Sequence, residues 1–250
     1  MKLNYMQSWN RAMALLLANK EAVIAIAGVF VFLPTLLFAQ FVTPPVLTGD
    51  EDGNAVLAVY SAYFNDNAIA ILASNLVMSF GSLAIYFALA PSRHSTVAED
   101  LTAALKLFLV YLLAQLLSGL VALPGFLLFV IPGFYITSRL ILVPALIADE
   151  GERNVVDLLR NSWSLTRGNG FAILLFLLMI GIVGIITIGV LETVTGVITG
   201  LATGGAGWPF IENLVASFTG TAFQLVLIAV IVSLYIALTG KNSDVSNVFS

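Results

Sequence analysis

The side chain in this chain best placed to do chemistry is Arg139, a cation inside an apolar run. It lies ten residues from Asp149, about 15 Å along a helix that rises ~1.5 Å per residue. That spacing puts it near the middle of a bilayer, where an arginine costs about 2.5 to 3.5 kcal/mol on insertion scales and marks a cavity, a partner or a site. Two readings fit. In one, the guanidinium contacts an anion, either a lipid phosphate or an acidic solute, from a polar pocket. In the other, it holds helices together by bonding carbonyls freed near Pro132 or the amides of Asn75, Gln115 and Gln224. Those three amides fall in separate apolar runs, so they either line a common polar interior or form isolated interhelical bonds.

No other residues assemble into a reaction centre. Cysteine is absent and His94 is the single histidine. This excludes a disulfide framework and a thiolate nucleophile, and it leaves a zinc site short of the three or four ligands it needs. His94, beside Arg93, reads as part of a solvated loop. The run from Asp50 to Asn54 lacks the alternating ligands and closing glutamate of a calcium loop. There is no glycine-rich phosphate loop, no H-E-x-x-H and no G-x-S-x-G. Without a carboxylate inside an apolar run, a proton relay has no support. The expectation is a protein that is not an enzyme and takes no metal or other cofactor.

The elements that position Arg139 follow from composition. Of 250 residues, 60% are hydrophobic and 10% charged, against about 25% charged in a soluble domain. A mean hydropathy of +1.02 leaves lipid as the solvent for surface that cannot be buried in one core. The net charge of −4 argues against nucleic acid as a partner. Spanning ~30 Å of hydrocarbon takes roughly 20 apolar residues, and six runs qualify: 22–41, 68–90, 105–122, 126–148, 171–190 and 213–238. The first is too long for a signal-peptide core and lacks a small-residue cleavage pattern, so it is expected to be retained. Pro34 predicts a kink within it. Leu123-Pro124-Gly125 reads as the turn between the third and fourth runs. Pro132-Gly133 marks either a kink in the fourth helix or its start.

Lysine and arginine set the direction of the runs, because translocating them is disfavoured. Lys2, Arg11 and Lys20 precede the first run; Arg93 lies between the second and third, with Lys106 at the very start of the third; Arg153, Arg160 and Arg167 lie between the fourth and fifth; Lys241 follows the sixth. The alternate loops hold none, and that from 42 to 67 is acidic. Both termini are therefore expected in the cytoplasm.

Three cytoplasmic segments have the pattern of helices lying in the membrane surface: 4–18, 97–105 and 153–166. Tyr5, Trp9, Met13 and Leu16 share one face of the first; Val155, Leu158, Leu159 and Trp163 share one face of the third. The fold class expected is an all-α polytopic membrane protein, a single membrane domain of six helices in three hairpins, each preceded by such a segment. Trp9, Trp163 and Trp208 are its expected surface anchors. The segment 55–64 is a further amphipathic stretch in an outer loop. Gly196, Gly200 and Gly204 either bring helices close or form a flexible loop.

Three stretches together form a pattern: Ile131 to Leu140 with Pro132, Gly133 and Arg139; Val143 to Glu150; and Leu158 to Gly168 with Ser162 and Arg167. It resembles the bacterial six-helix inner-membrane proteins of the YciC type and the membrane domain attached to some glycerophosphodiester phosphodiesterases. In these a proline-glycine opens a helix bearing an arginine, an acidic residue closes it, and a serine-containing amphipathic segment ends in a basic residue and glycine. The resemblance covers about 124 to 170 and implies a bacterial cytoplasmic membrane and helical architecture, without an activity. The chain ends twelve residues after Leu238, so the soluble catalytic domain of the phosphodiesterase-linked members is not expected here. The function expected is organisation of lipid or of envelope proteins, with membrane lipids and a membrane-protein partner or second copy as contacts. The alternative is a small-solute or lipid transporter using a polar interior around Arg139.

A reporter fused after Lys241 should be active only on the cytoplasmic side; activity outside would overturn the orientation.

Overall fold

A computed structural model describes residues 3–47, 49, 52–93 and 95–241. His94, Lys2, Asp50 and Glu51, which enter the reading above, lie outside the described residues. Among those described, every regular element is helical: α1 (Tyr5–Ala18), α2 (Lys20–Ala27), a π-helical turn (Gly28–Phe32), α3 (Leu33–Phe41), α4 (Gly53–Asp66), α5 (Ala68–Ala88), α6 (Val97–Leu128), α7 (Val130–Leu140), α8 (Val143–Glu150), α9 (Val155–Leu165), α10 (Gly170–Ala202) and α11 (Pro209–Thr239). Six stretches are long and apolar enough to cross a membrane: Lys20–Phe41, Ala68–Ala88, Val97–Leu128, Val130–Glu150, Gly170–Ala202 and Pro209–Thr239. The chain is an all-α polytopic membrane protein.

Proline placement explains most departures from the expected boundaries. Pro34 does not end the first span. The widened turn just before it, Gly28–Phe32, absorbs the lost amide and lets the helix continue. Leu123-Pro124-Gly125 is not a turn, because α6 runs through Pro124 to Leu128. The reversal instead falls on Phe129, in extended backbone at φ −159°. Pro132 then sits in the first turn of α7, where a missing N–H leaves no carbonyl unpaired. Gly125 has a different task. A Cβ there would lie 2.9 Å from the Gly133 nitrogen, so two glycines let α6 and α7 approach backbone to backbone.

The middle surface helix expected at 97–105 is not a separate element, since it forms the first turns of α6. A capping box stiffens this start: Glu99 accepts from the Thr96 amide at 2.8 Å and Thr96 accepts from the Glu99 amide. The fifth and sixth spans overrun their expected ends, to Ala202 and back to Pro209. Gly196 and Gly200 are consequently helical, with open space beside them, and Gly204 follows the helix at φ +68°. They neither bring a neighbouring helix close nor form a long loop. The 55–64 stretch forms α4, which has no buried residue.

The core sits at one end of the bundle. It takes Val23 to Val31 from the start of the first span, Leu83 to Phe87 from the end of the second, Ala104 to Ala114 from the third, Val143 to Ala148 from the fourth, Ile173 to Ile180 from the fifth and Ile228 to Ile236 from the sixth. Starts and ends alternate because consecutive spans are antiparallel. α1 covers this end, and Ser233 donates to its Ser8 carbonyl at 2.7 Å. At the opposite end side chains such as Ile185, Val190, Val197 and Leu201 are exposed, the condition of helices facing hydrocarbon.

A polar knot closes the packed end. The Asp149 carboxylate, fully buried, accepts from Lys241 Nζ at 2.6 Å, the Tyr235 hydroxyl at 2.7 Å and the Ser92 amide at 2.9 Å. The knot ties the second, fourth and sixth spans, and no local sequence pattern announces it. Asp149→Asn should lower the unfolding temperature in detergent more than Lys241→Met does. The first leaves buried donors unmatched, about 1 to 3 kcal/mol, whereas Lys241 is partly solvated; equal losses would show that the ion pair alone holds the knot.

Candidate functional site

Pro144 creates the conditions for the site around Arg139. Standing second in α8, it has no N–H and its ring crowds the preceding turn, so the fourth span breaks at Ile141–Leu142. Carbonyls at the end of α7 lose their helical partners. In a water-poor setting each needs another donor. The last turn of α9 supplies one: the Ser162 hydroxyl donates to the Arg139 carbonyl at 2.8 Å, while the Thr166 hydroxyl just beyond it, 3.2 Å from that carbonyl, has its nearest acceptor in the Ser162 carbonyl at 2.8 Å. Both side chains are fully buried.

The Arg139 side chain completes the exchange in the other direction. Its Nη2 donates to the carbonyl of Trp163, and the guanidinium lies 4.6 Å from the centre of the Trp163 ring. Nη1 reaches the Tyr135 hydroxyl at 3.5 Å. The Ser138 hydroxyl has its nearest acceptor in the Tyr135 carbonyl of its own helix, at 2.8 Å, and lies 3.2 Å from the Gly170 carbonyl. At Gly170 a Cβ would stand 2.5 Å from Arg139 Cδ, so only glycine lets α10 begin so close. Residues 138–139 and 162–170 thus clasp each other through backbone carbonyls on both sides.

This arrangement handles a buried charge without a carboxylate. Arg139 is 6% exposed, and among the described residues it forms no ion pair. Carbonyl dipoles and an aromatic face take the counter-ion's part, and a desolvated cation–π contact is worth about 2 kcal/mol. Its Nε is buried without a hydrogen-bond partner.

The expected partners of Arg139 are not the ones it has. The carbonyl it bonds, that of Trp163, comes from α9, not from the turn at Pro132. Asn75 is exposed and donates to the Ile71 carbonyl of its own helix at 2.8 Å. Gln115, also exposed, reaches the Tyr111 hydroxyl one turn away at 3.3 Å. Gln224 alone crosses between spans, donating to Ser82 at 2.7 Å. The three amides do not meet one another or Arg139, and no common polar interior forms from them. Trp163 has a second task beside any anchoring, because its ring and carbonyl hold Arg139 while the residue stays 41% exposed. Trp208, exposed, opens α11 with its amide bonded to Glu212 at 3.1 Å.

Among the described residues two large clefts stand out, and Arg139 lines neither. The first is an apolar groove of about 750 Å³ between α10 and α11, bounded at one end by Tyr5, Met6 and Trp9 of α1. Tyr5 stacks on Phe176 at 5.2 Å between ring centres. A Cβ at Gly184 would lie 2.0 Å from the Phe223 ring, so that glycine lets the ring fold against α10. The hydroxyls of Thr187 and Thr219, both in the lining, donate to carbonyls of their own helices. The walls present almost only carbon. Sequence reading named Trp9 but had no means of placing the groove, which requires knowing that the first helix meets the last two spans.

No protein-family profile, curated protein or solved structure matches this chain.

Arg139→Ala should cost about 1.5 to 3 kcal/mol, the range for hydrogen bonds to charged groups. Amide hydrogen exchange should rise selectively in α9. Arg139→Lys should restore only part of the loss, since an ammonium lacks the flat stacking surface. Full rescue by lysine would mean that charge alone is required there.

Proposed function

We propose that this chain is a noncatalytic membrane protein of the bacterial cytoplasmic membrane, of the YciC-like kind, that organises lipid by holding acyl chains against its last two spans. The groove under α1 carries the reading. It has the size of a ligand pocket, about 300 to 1,000 Å³, but lacks the convergent polar groups by which such pockets orient a soluble substrate. A hydrocarbon chain needs none. Its aromatic mouth, Tyr5 and Trp9, is of the residue types that favour the membrane interface. With the termini on the cytoplasmic side, that mouth faces the inner leaflet.

The competing reading, transport through a polar interior at Arg139, draws support from the broken fourth span. Against it stand the engagement of Arg139 with Tyr135 and Trp163, its absence from the lining of both large clefts, and the separate local bonds of Asn75 and Gln115. α1 and α9 serve as the surface elements, and a second copy or another membrane protein is a further partner for the exposed outer faces.

Native mass spectrometry of the purified protein tests the groove. Thr187→Trp together with Ala222→Phe fills it from both walls. Wild type should retain lipid through detergent exchange, and the filled variant should retain at least threefold less at unchanged melting temperature. Equal retention would remove the groove from the account.

A further inference from the structure

The second large cleft, about 730 Å³, differs in character from the groove. It opens at the packed end of the bundle, where the second span finishes, α6 begins and the chain leaves α8. Arg93, Lys106 and Arg153 line it, with Glu99 as the one carboxylate among its walls. Three cations therefore face one acid: one oxygen of Glu99 accepts from the amide and hydroxyl of Thr96 in the capping box, and its charge also acts on Arg93. Asp100, a near neighbour of Arg93, is buried behind the wall and accepts from Ser95.

Among the described residues, Arg93, Lys106 and Arg153 form no ion pair. Arg93 is also held in position: its guanidinium lies 5.0 Å from the centre of the Phe87 ring, and its Nε is buried without a hydrogen-bond partner. The cleft hydroxyls have their protons committed, Thr102 to the Ala98 carbonyl and Ser95 to Asp100. The donors left over are therefore cationic, and a guanidinium fork packed on Phe87 beside two exposed cations suits a phosphate oxygen set.

We infer that this cleft binds a phosphate group. A basic recess between spans on the cytoplasmic side is where anionic headgroups are captured, and the shared chemistry extends to soluble phosphate monoesters. The site is separate from the acyl groove and stands whether or not that groove holds lipid.

The probes are dioleoyl-phosphatidylglycerol, dioleoyl-phosphatidylcholine and inorganic phosphate. Each is titrated against the full chain in detergent by native mass spectrometry or, for phosphate, calorimetry. Arg93→Gln with Lys106→Gln and Arg153→Gln should weaken phosphatidylglycerol binding at least tenfold and leave phosphatidylcholine unchanged. Lys106→Gln with Arg153→Gln, both exposed and safe for folding, should weaken it at least threefold. Loss confined to inorganic phosphate would keep the site and assign it a soluble ligand. Arg160→Gln, exposed and outside the cleft, should change nothing. An equal loss in Arg160→Gln, or none in the triple variant for either phosphate probe, would overturn the site.

Discussion

A carbonyl that loses its helical partner inside a membrane must find another donor, and the bond from the Ser162 hydroxyl to the Arg139 carbonyl meets that demand. The break at Ile141–Leu142 needs it, the position of α9 follows from it, and the start of α10 at Gly170 packs directly against the Arg139 side chain. Arg139 contributes twice, its backbone as acceptor and its side chain as donor to Trp163. A charge that looks anomalous in a hydropathy profile thus fastens α9 beside the break that accompanies Pro144, and the Ser162 hydroxyl serves the carbonyl there.

The same economy of polar groups shapes the rest of the bundle. Polar side chains join different spans at both ends of the bundle: the clasp and the Asp149 knot lie at the packed end, and at the other end Asn213 donates to the Ala39 carbonyl and Thr199 to Glu212. The second, fourth and sixth spans are tied there by one buried carboxylate, and α1 is tied by Ser233. Away from that end the helices present aliphatic side chains outward, and hydrocarbon supplies what a core would otherwise supply. A bundle locked at one end and open to lipid at the other leaves a groove between α10 and α11 without sacrificing its fold. The basic cleft lies on the locked end, where neighbouring elements fix Arg93 in place.

Proline and glycine show how far a one-dimensional reading reaches. Pro124, Pro132 and Pro144 all look alike as punctuation, yet the first lies inside a continuous helix, the second opens one and the third accompanies a break. What separates them is the surroundings of the carbonyl each would leave unpaired. In the same way Gly125 and Gly170 are close-approach positions, while Gly196 and Gly200, which have the spacing of a helix-contact motif, touch nothing.

The six spans were legible in the sequence because the length of an apolar run and the thickness of hydrocarbon are the same measurement made twice. Their expected direction came from counting cations. The presence of helices at α1 and α9 came from periodicity, which is local. The partners of Arg139, the knot at Asp149 and both clefts were not legible, because each depends on residues 23 to 92 positions apart, or on helices from opposite ends of the chain. Hydropathy averages over neighbours in sequence, whereas a hydrogen bond selects a neighbour in space. Apolar content therefore decided that this chain lives in lipid, and tertiary structure alone decided which of its few polar atoms meet.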